Sequence, residues 1–337
     1  MKVEDIDELA RSLEGMVGEK GSITQVETHA SWVLLTPKTA YKFKKPVDLG
    51  FLNFSTLEKR RFYCQEEVRL NRRLSPDMYR GVVRVSKEGE GFQLEMDDDD
   101  DKEADGYGVM MKRLPPKRKM DKLLARHEVR YPDVEAIARM LAPFHRQAAI
   151  VQGPPSIDAL KKRFNDIQQE EPVFEKVLGS GAEERVERAV MSSDDFLDAH
   201  RNLIKGRMEE GMVRDVHGDL HSGNIFIDEE PVIFDCIEFD PAFRQIDILD
   251  EIAFFCMDLE AHYEEELASH FLKIYNQANP VMRDRKEEAL FSYYKAYRAN
   301  VRAKVTAIRA SQESDPKEEG ERLALYLDLM EDYLDRL

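Results

Sequence analysis

The hydrophobic period of this chain changes once, near Lys117, and that change limits the possible folds more than any other feature. Before it, short apolar runs follow one another: SITQVET, SWVLLT and AYKFKK, then GVVRVS, GFQLEM and YGVMMKRL. Runs of this length, broken by His-Ala and Pro-Lys-Thr, predict an antiparallel meander. Two helical patterns interrupt it. Val3, Ile6, Leu9 and Leu13 share one face of a helix over 3–14, and a longer helix is expected from Ser55, an N-cap with Glu58 three residues on, to about Leu74. After Lys117 the pattern is helical almost to the end, with one small hairpin, FIDEEPVIFDC, set into it. The run DDDDDKEADG over 97–106 is a block of like charge and reads as a solvated loop. There is no internal repeat and no long linker. The economical architecture is an α+β chain with a sheet-bearing lobe over 1–115 and a mainly helical lobe over 116–337, joined near Leu114-Pro115-Pro116.

Composition excludes several function classes. A formal charge of −17 repels phosphate backbones and argues against nucleic-acid binding. No apolar run reaches the length of a membrane span, so no membrane role is expected. The three cysteines, Cys64, Cys236 and Cys256, show no CxxC spacing and cannot pair completely, which points to a reducing, cytoplasmic setting. The acidic, amphipathic amino terminus is unlike a secretory signal.

The chemistry concentrates in VRDVHGDLHSGNIFIDEEPVIFDCIEFD, residues 213–240. His217, Asp219 and His221 alternate in a way that can bind zinc, iron or manganese, which keeps a metal-dependent phosphoesterase open. A binuclear centre, however, needs more bridging carboxylates and a separate Asn-His pair. A phosphoryl-transfer reading uses more of the residues. Asp219 and Asn224 have the spacing of a kinase catalytic loop, in which an Asp meets the substrate hydroxyl and an Asn, five residues on, binds magnesium. Asp235, at the end of PVIFD, supplies a second oxygen ligand, and hard cations prefer oxygen.

His-Gly-Asp-x-His-x-x-Asn followed by Ile-Phe-Asp resembles the aminoglycoside phosphotransferase and choline kinase group of small-molecule kinases. The stretch THASWVLLTPKTAYKFKKPVDLGFLNFSTLEKRRFYCQEEVRLNRRL is similar to one bacterial branch of that group, often fused to a carboxy-terminal P-loop ATPase domain. No GxxxxGK[ST] occurs here, so that second domain is expected to be absent, from a stand-alone or trimmed form. The resemblance implies a protein-kinase-like two-lobed fold and the use of ATP and Mg2+.

It also implies a strand lysine for the phosphates and a helix glutamate to hold it. Thr39-Ala40-Tyr41-Lys42 nominates Lys42 over Lys44, its neighbour on the same strand face, and Glu67 over the solvated Glu66. Ser31, in the turn that replaces a glycine-rich loop, is a candidate phosphate contact. Met111, Lys112 and Leu114 are the candidate nucleotide-base segment. Because such a base is read mostly through backbone, GTP in place of ATP stays open. His217 is expected to brace the loop and Asp250 to anchor it.

For the phosphate acceptor, His221 and Glu238 are candidates. So are Arg298 and Arg302, one helical turn apart in YYKAYRANVRAKVTAIRA, a segment without acidic residues. That basic helix either favours an anionic or neutral hydroxyl compound, such as a sugar, sugar acid or nucleoside, over an aminoglycoside, or pairs with acidic neighbours such as the terminal EDYLDRL segment. The alternatives are a nucleotide-binding regulatory module with little turnover, and the metal-dependent phosphoesterase.

Overall fold

A computed structural model describes residues 3–17, 23–50, 52–89, 91–98, 103–153, 156–312 and 317–337. Residues 99–102 of the acidic run lie outside the described residues, as does the side chain of Val3. In chain order the first elements are α1 (Val3–Val17), β1 (Thr24–Glu27), β2 (Ser31–Leu35), β3 (Thr39–Lys44), α2 (Leu57–Asn71), β4 (Tyr79–Glu88), β5 (Gly91–Met96), β6 (Gly106–Lys112) and α3 (Met120–Leu124). Helices α4 (Tyr131–Gln147), α5 (Ile157–Asn165), α6 (Glu171–Leu178), α7 (Ala182–Ala199) and α8 (Arg201–Glu209) follow. Then come β7 (Val213–Asp215), the hairpin β8 (Ile225–Ile227) and β9 (Pro231–Ile233), and β10 (Gln245–Asp247). Helices α9 (Ile248–Ala261), α10 (Glu265–Ala278), α11 (Arg285–Gln312) and α12 (Lys317–Leu334) end the chain.

The chain divides into two compact units. One is Met1–Arg126 with Gly223–Arg244; the other is His127–Ser222 with Gln245–Leu337. A contiguous cut at 115/116 misses this grouping because the hairpin segment is bonded into the first unit. Ser75 Oγ donates to Ile233 O at 2.7 Å, and the Cys236 amide donates to Asn71 Oδ1 at 2.9 Å.

In the first unit the six strands form one antiparallel sheet in the order β1-β2-β3-β6-β4-β5. The last strand in sequence is thus inserted between β3 and β4. Side chains alternate across a strand, and each face buries a helix. Ile6, Leu9 and Leu13 of α1 pack with Trp32, Leu34, Phe43, Val83 and Val85 on one face. Cys64 and Val68 of α2 pack with Ala40, Tyr79, Val82, Val109 and Met111 on the other. The cap of α2 differs from expectation. Thr56 is the N-cap and accepts from the Lys59 amide, while the Ser55 amide and hydroxyl both donate to Asn53 Oδ1, which turns the Ser55 side chain away from the helix.

The second unit is helical apart from the antiparallel pair β7–β10. Helix α9 is buried on nearly every side, from Ile248 to Leu259, although it carries Asp250, Glu251 and Asp258. Buried carboxylates of this kind require partners. No helix among the described residues is long and apolar enough to cross a membrane.

Gly108 on β6 permits the close approach of β3. A Cβ there would stand 2.5 Å from two ring atoms of Phe43, a fully buried side chain, and 3.2 Å from Lys42 O. We expect Gly108→Ala to lower stability by about 1–3 kcal/mol, read as a lower urea midpoint with an unchanged m-value.

Candidate active site

In the first unit, Lys42 and Lys44 occupy alternate positions of β3 and so face α2 together. Between them lies Glu67, which has no exposure to solvent. Lys42 Nζ reaches Glu67 Oε1 at 3.0 Å and Asp235 Oδ1 at 2.6 Å. Lys44 Nζ reaches Glu67 Oε2 at 2.7 Å and also bonds Glu238. Each lysine therefore joins Glu67 to one carboxylate of the segment after the hairpin. They differ in access: the Lys42 side chain is 17% exposed and that of Lys44 1%. Lys42 alone of the two is open to a ligand.

The electrostatics follow from burial opposed by charge. Burial disfavours both ammonium groups. Asp235, Glu67 and Glu238 nevertheless push Lys42 well above the ordinary lysine value, and Glu238 and Glu67 raise Lys44 too. Burial likewise works against ionised Glu67, but Lys42 and Lys44 hold it down to about 2. Glu238, buried and beside Glu67, is pushed up, with Lys44 opposing.

Hairpin β8–β9 places Asn224 beside Asp235. Ile225 pairs with Ile233, and the Phe234 amide donates to Asn224 O at 3.0 Å. Asp235 itself has φ +65°, a left-handed conformation uncommon for residues other than glycine. Its amide donates to the Tyr79 hydroxyl at 3.1 Å, and its carboxylate is 43% exposed. A strained backbone that aims an accessible carboxylate is a frequent mark of a functional position. An amide and one carboxylate fit magnesium, which commonly takes one or two protein ligands and completes its shell with phosphate oxygens and water. Among the described residues there is no group of three or more His, Cys, Asp or Glu side chains that could hold a metal ion by themselves.

In the second unit the loop 217–222 is held from below by α9. Glu251 accepts the amides of His217 and Gly218 at 2.8 and 2.7 Å, and Asp258 accepts that of Ser222 at 2.7 Å. Glu251 also contacts the buried ring of His145, 3.4 Å away, whose other nitrogen meets the Tyr275 hydroxyl at 2.6 Å. Asp250 takes Arg298 Nε at 2.6 Å, and the same guanidinium donates to Gly218 O at 3.1 Å. His217 Nδ1 accepts the Asp219 amide at 3.2 Å. His221 Nε2 lies 3.4 Å from Asp219 Oδ2. Burial would raise the Asp219 carboxyl, but His221 first, then His217 and Arg302, hold it well below the usual carboxylate range. Asp219 is thus an ionised, half-buried carboxylate on a rigid loop.

Other sequence candidates lie elsewhere. Glu238 and Arg298 are buried and spent on Lys44 and on Asp250 with Gly218 O, so neither is presented to a substrate. Ser31 is buried, and its amide is taken by Thr28 Oγ1 at 3.0 Å, in a turn that closes the β1–β2 connection without needing phosphate. Met111 and Leu114 belong to the core on the α2 side, while Lys112 is exposed. The Lys112 and Arg113 amides donate to Met78 O and Lys38 O, which takes those two donors from a base. Arg302 stacks on Tyr326, 5.5 Å from its ring centre, and acts electrostatically on Asp219 and Asp258. Glu251 and Asp258 went unnamed in the sequence. Their signal was charge inside an otherwise apolar helix, ILDEIAFFCMDLEA.

Glu67 makes a prediction about pH. Its folded value lies below the ordinary 4.5, so its contribution to stability is present above about pH 4.5 and is lost as pH falls toward 2. Glu67→Gln should cost about 3–5 kcal/mol at neutral pH, as for a broken buried pair. In urea unfolding the gap to wild type should narrow below about pH 4.5. A gap independent of pH would refute this account.

Comparison with known proteins places this geometry. Uncharacterized proteins of Mycobacterium tuberculosis and Mycobacterium bovis are 32% identical over 291 residues, covering 85% of this chain. The chain spans 55% of the length of these relatives. Among solved structures, a choline/ethanolamine kinase family protein from Mesorhizobium loti is similar with a TM-score of 0.54 at 14% identity, covering 98% of both chains. A thermostable mutant of an aminoglycoside phosphotransferase matches at 0.52 and 11% identity, covering 97% of this chain and 99% of that one. Likeness at such identity shows the fold alone, a protein-kinase-like α+β fold. Residues 90–285 match the family model described as the phosphotransferase enzyme family. With a match over more than half its length, the chain belongs to that family.

Proposed function

We propose that the protein is an ATP- and magnesium-dependent phosphotransferase that phosphorylates a hydroxyl of a small molecule. The observation that carries this reading is the partly exposed Lys42, held by Glu67 at 3.0 Å and paired at 2.6 Å with Asp235 on its strained backbone. Supporting it, solved structures of the same fold include a choline/ethanolamine kinase family protein and an aminoglycoside phosphotransferase.

Lys42 binds phosphate oxygens while Glu67 keeps it in place. With nucleotide bound, Lys42 would turn from Asp235 to phosphate, and Asp235 and Asn224 are the residues that would hold a magnesium ion. Each charge retains a partner through the exchange, so the buried Glu67 is never left uncompensated. The metal, when bound, neutralises charge on the phosphate chain. The acceptor oxygen forms a bond to the γ-phosphorus as the bond from that phosphorus to the β–γ bridging oxygen breaks. ADP leaves with the electron pair. The hydroxyl proton passes to Asp219.

A carboxylate whose pKa is held so low is a weak base. Its principal work is to orient the hydroxyl, accepting the proton late, which suits a loose transition state that needs little base assistance. Ionised Asp219 also requires that its own protonation cause no loss of kcat down to about pH 5.

Calorimetric titration of ATP with and without magnesium tests the reading. Wild type should bind in a magnesium-dependent way, and Asp235→Ala should lose that dependence. Asp219→Asn should lower kcat by about 100-fold or more with the ATP Kd nearly unchanged. Absence of ATP binding by wild type in either condition would sink the proposal. Loss of ATP affinity in Asp219→Asn would remove Asp219 from its assigned role.

A further inference from the structure

In the proposed reaction Asp219 orients the acceptor, and a carboxylate on a rotatable side chain needs something to fix its own orientation first. The backbone of the loop is already secured: Glu251 takes the His217 and Gly218 amides, Asp258 takes that of Ser222, and His217 Nδ1 accepts that of Asp219. Rotation of the Asp219 side chain is the freedom that remains.

The His221 ring meets that side chain from two residues along the loop, with Nε2 3.4 Å from Asp219 Oδ2. An ionised carboxylate only accepts, so the ring nitrogen is the donor, as it can be in the neutral and the protonated imidazole alike. The contact therefore does not depend on the charge of the ring. The two side chains differ in access: that of Asp219 is 38% exposed and that of His221 13%.

Helix α9 holds the ring in turn. The His221 and Phe254 rings lie against each other, with centres 5.4 Å apart. The Arg298 guanidinium lies 4.8 Å from the centre of the same Phe254 ring while it donates to Gly218 O. Chain on both sides of Asp219 thus rests on one aromatic side chain, either directly or through an arginine. An imidazole with so little freedom can direct a neighbouring carboxylate.

We infer that His221 is a positioning residue, whose Nε2–H ties Asp219 Oδ2 and so turns Oδ1 to the acceptor hydroxyl. A carboxylate accepts about four hydrogen bonds, so the hydroxyl is received without displacing the imidazole. Proton transfer is late in a loose transition state, so the carboxylate is still ionised, and the bond to His221 intact, while the phosphoryl group moves. The inference rests on the phosphotransferase reading and adds a residue to it.

The test uses the full chain with magnesium and ATP, water as the acceptor and released phosphate as the readout, because water needs the same orientation as an alcohol. His221→Phe, which keeps a ring beside Phe254 and removes the donor, should lower kcat at least about 10-fold, with the ATP Kd and the urea midpoint unchanged. His221→Gln, whose amide N–H has nearly the reach of Nε2, should recover most of that loss. In an Asp219→Asn background His221→Phe should cost less than about 2-fold, because residues that act as one unit are not additive. A purely structural role would lower the urea midpoint, give equal losses in both backgrounds and gain nothing from Gln. That pattern, a wild-type rate in His221→Phe, or ATP binding by wild type with no release of phosphate would each overturn the inference and leave the phosphotransferase reading standing. Failure of ATP to bind wild type would overturn both.

Discussion

Glu67 is a carboxylate without solvent, and the first unit is arranged around the need to keep it ionised. Moving a lone carboxylate into such surroundings costs several kcal/mol or more, so it persists only with close, well-directed partners. β3 provides two, because residues 42 and 44 share one strand face. Those lysines in turn need carboxylates on their far sides, and Asp235 and Glu238 meet that need. The hairpin segment 223–244 therefore packs with the sheet, although almost a hundred residues separate it in sequence from the rest of that unit. The ligand-ready geometry of Lys42 and Asp235 is a by-product of satisfying one buried charge.

The second unit uses the same physics on backbone. The loop that carries Asp219 leaves several amides without strand or helix partners. Buried amides are nearly always satisfied, and here Glu251 and Asp258 reach up from α9 to take three of them. These carboxylates can afford burial because the amides, His145 and the neighbouring histidines stabilise their charge. Arg298 serves the loop from the same side, through Asp250 and Gly218 O. Its charge is consumed in the scaffold, so a basic stripe on α11 is not by itself a sign of a ligand.

Much of the layout could be read in sequence because local pattern and fold agree. Period-two runs became strands, the change near Lys117 marked the helical part, and the spacing from Asp219 to Asn224 and on to Asp235 singled out the loop and hairpin. Boundaries set by competing local bonds were less legible: Ser55 and Thr56 are equally good caps on paper, and Asn53 decided between them. Glu238 and Arg298 illustrate a deeper difficulty. A charged residue looks the same in sequence whether it faces a ligand or a buried counter-ion, and its partner here lies 194 or 48 residues away.

The sequence by itself determined the α+β class, the family and the short list of groups with the right chemistry, since these depend on residue type and on spacing within a strand, a turn or a helix. Tertiary structure alone decided that Lys42 and Lys44 divide Glu67 between them, that β6 runs between β3 and β4, and that α9 carries the loop. Each of these is a pairing between distant segments, chosen by which buried charges and amides must be satisfied together, and no local pattern encodes that.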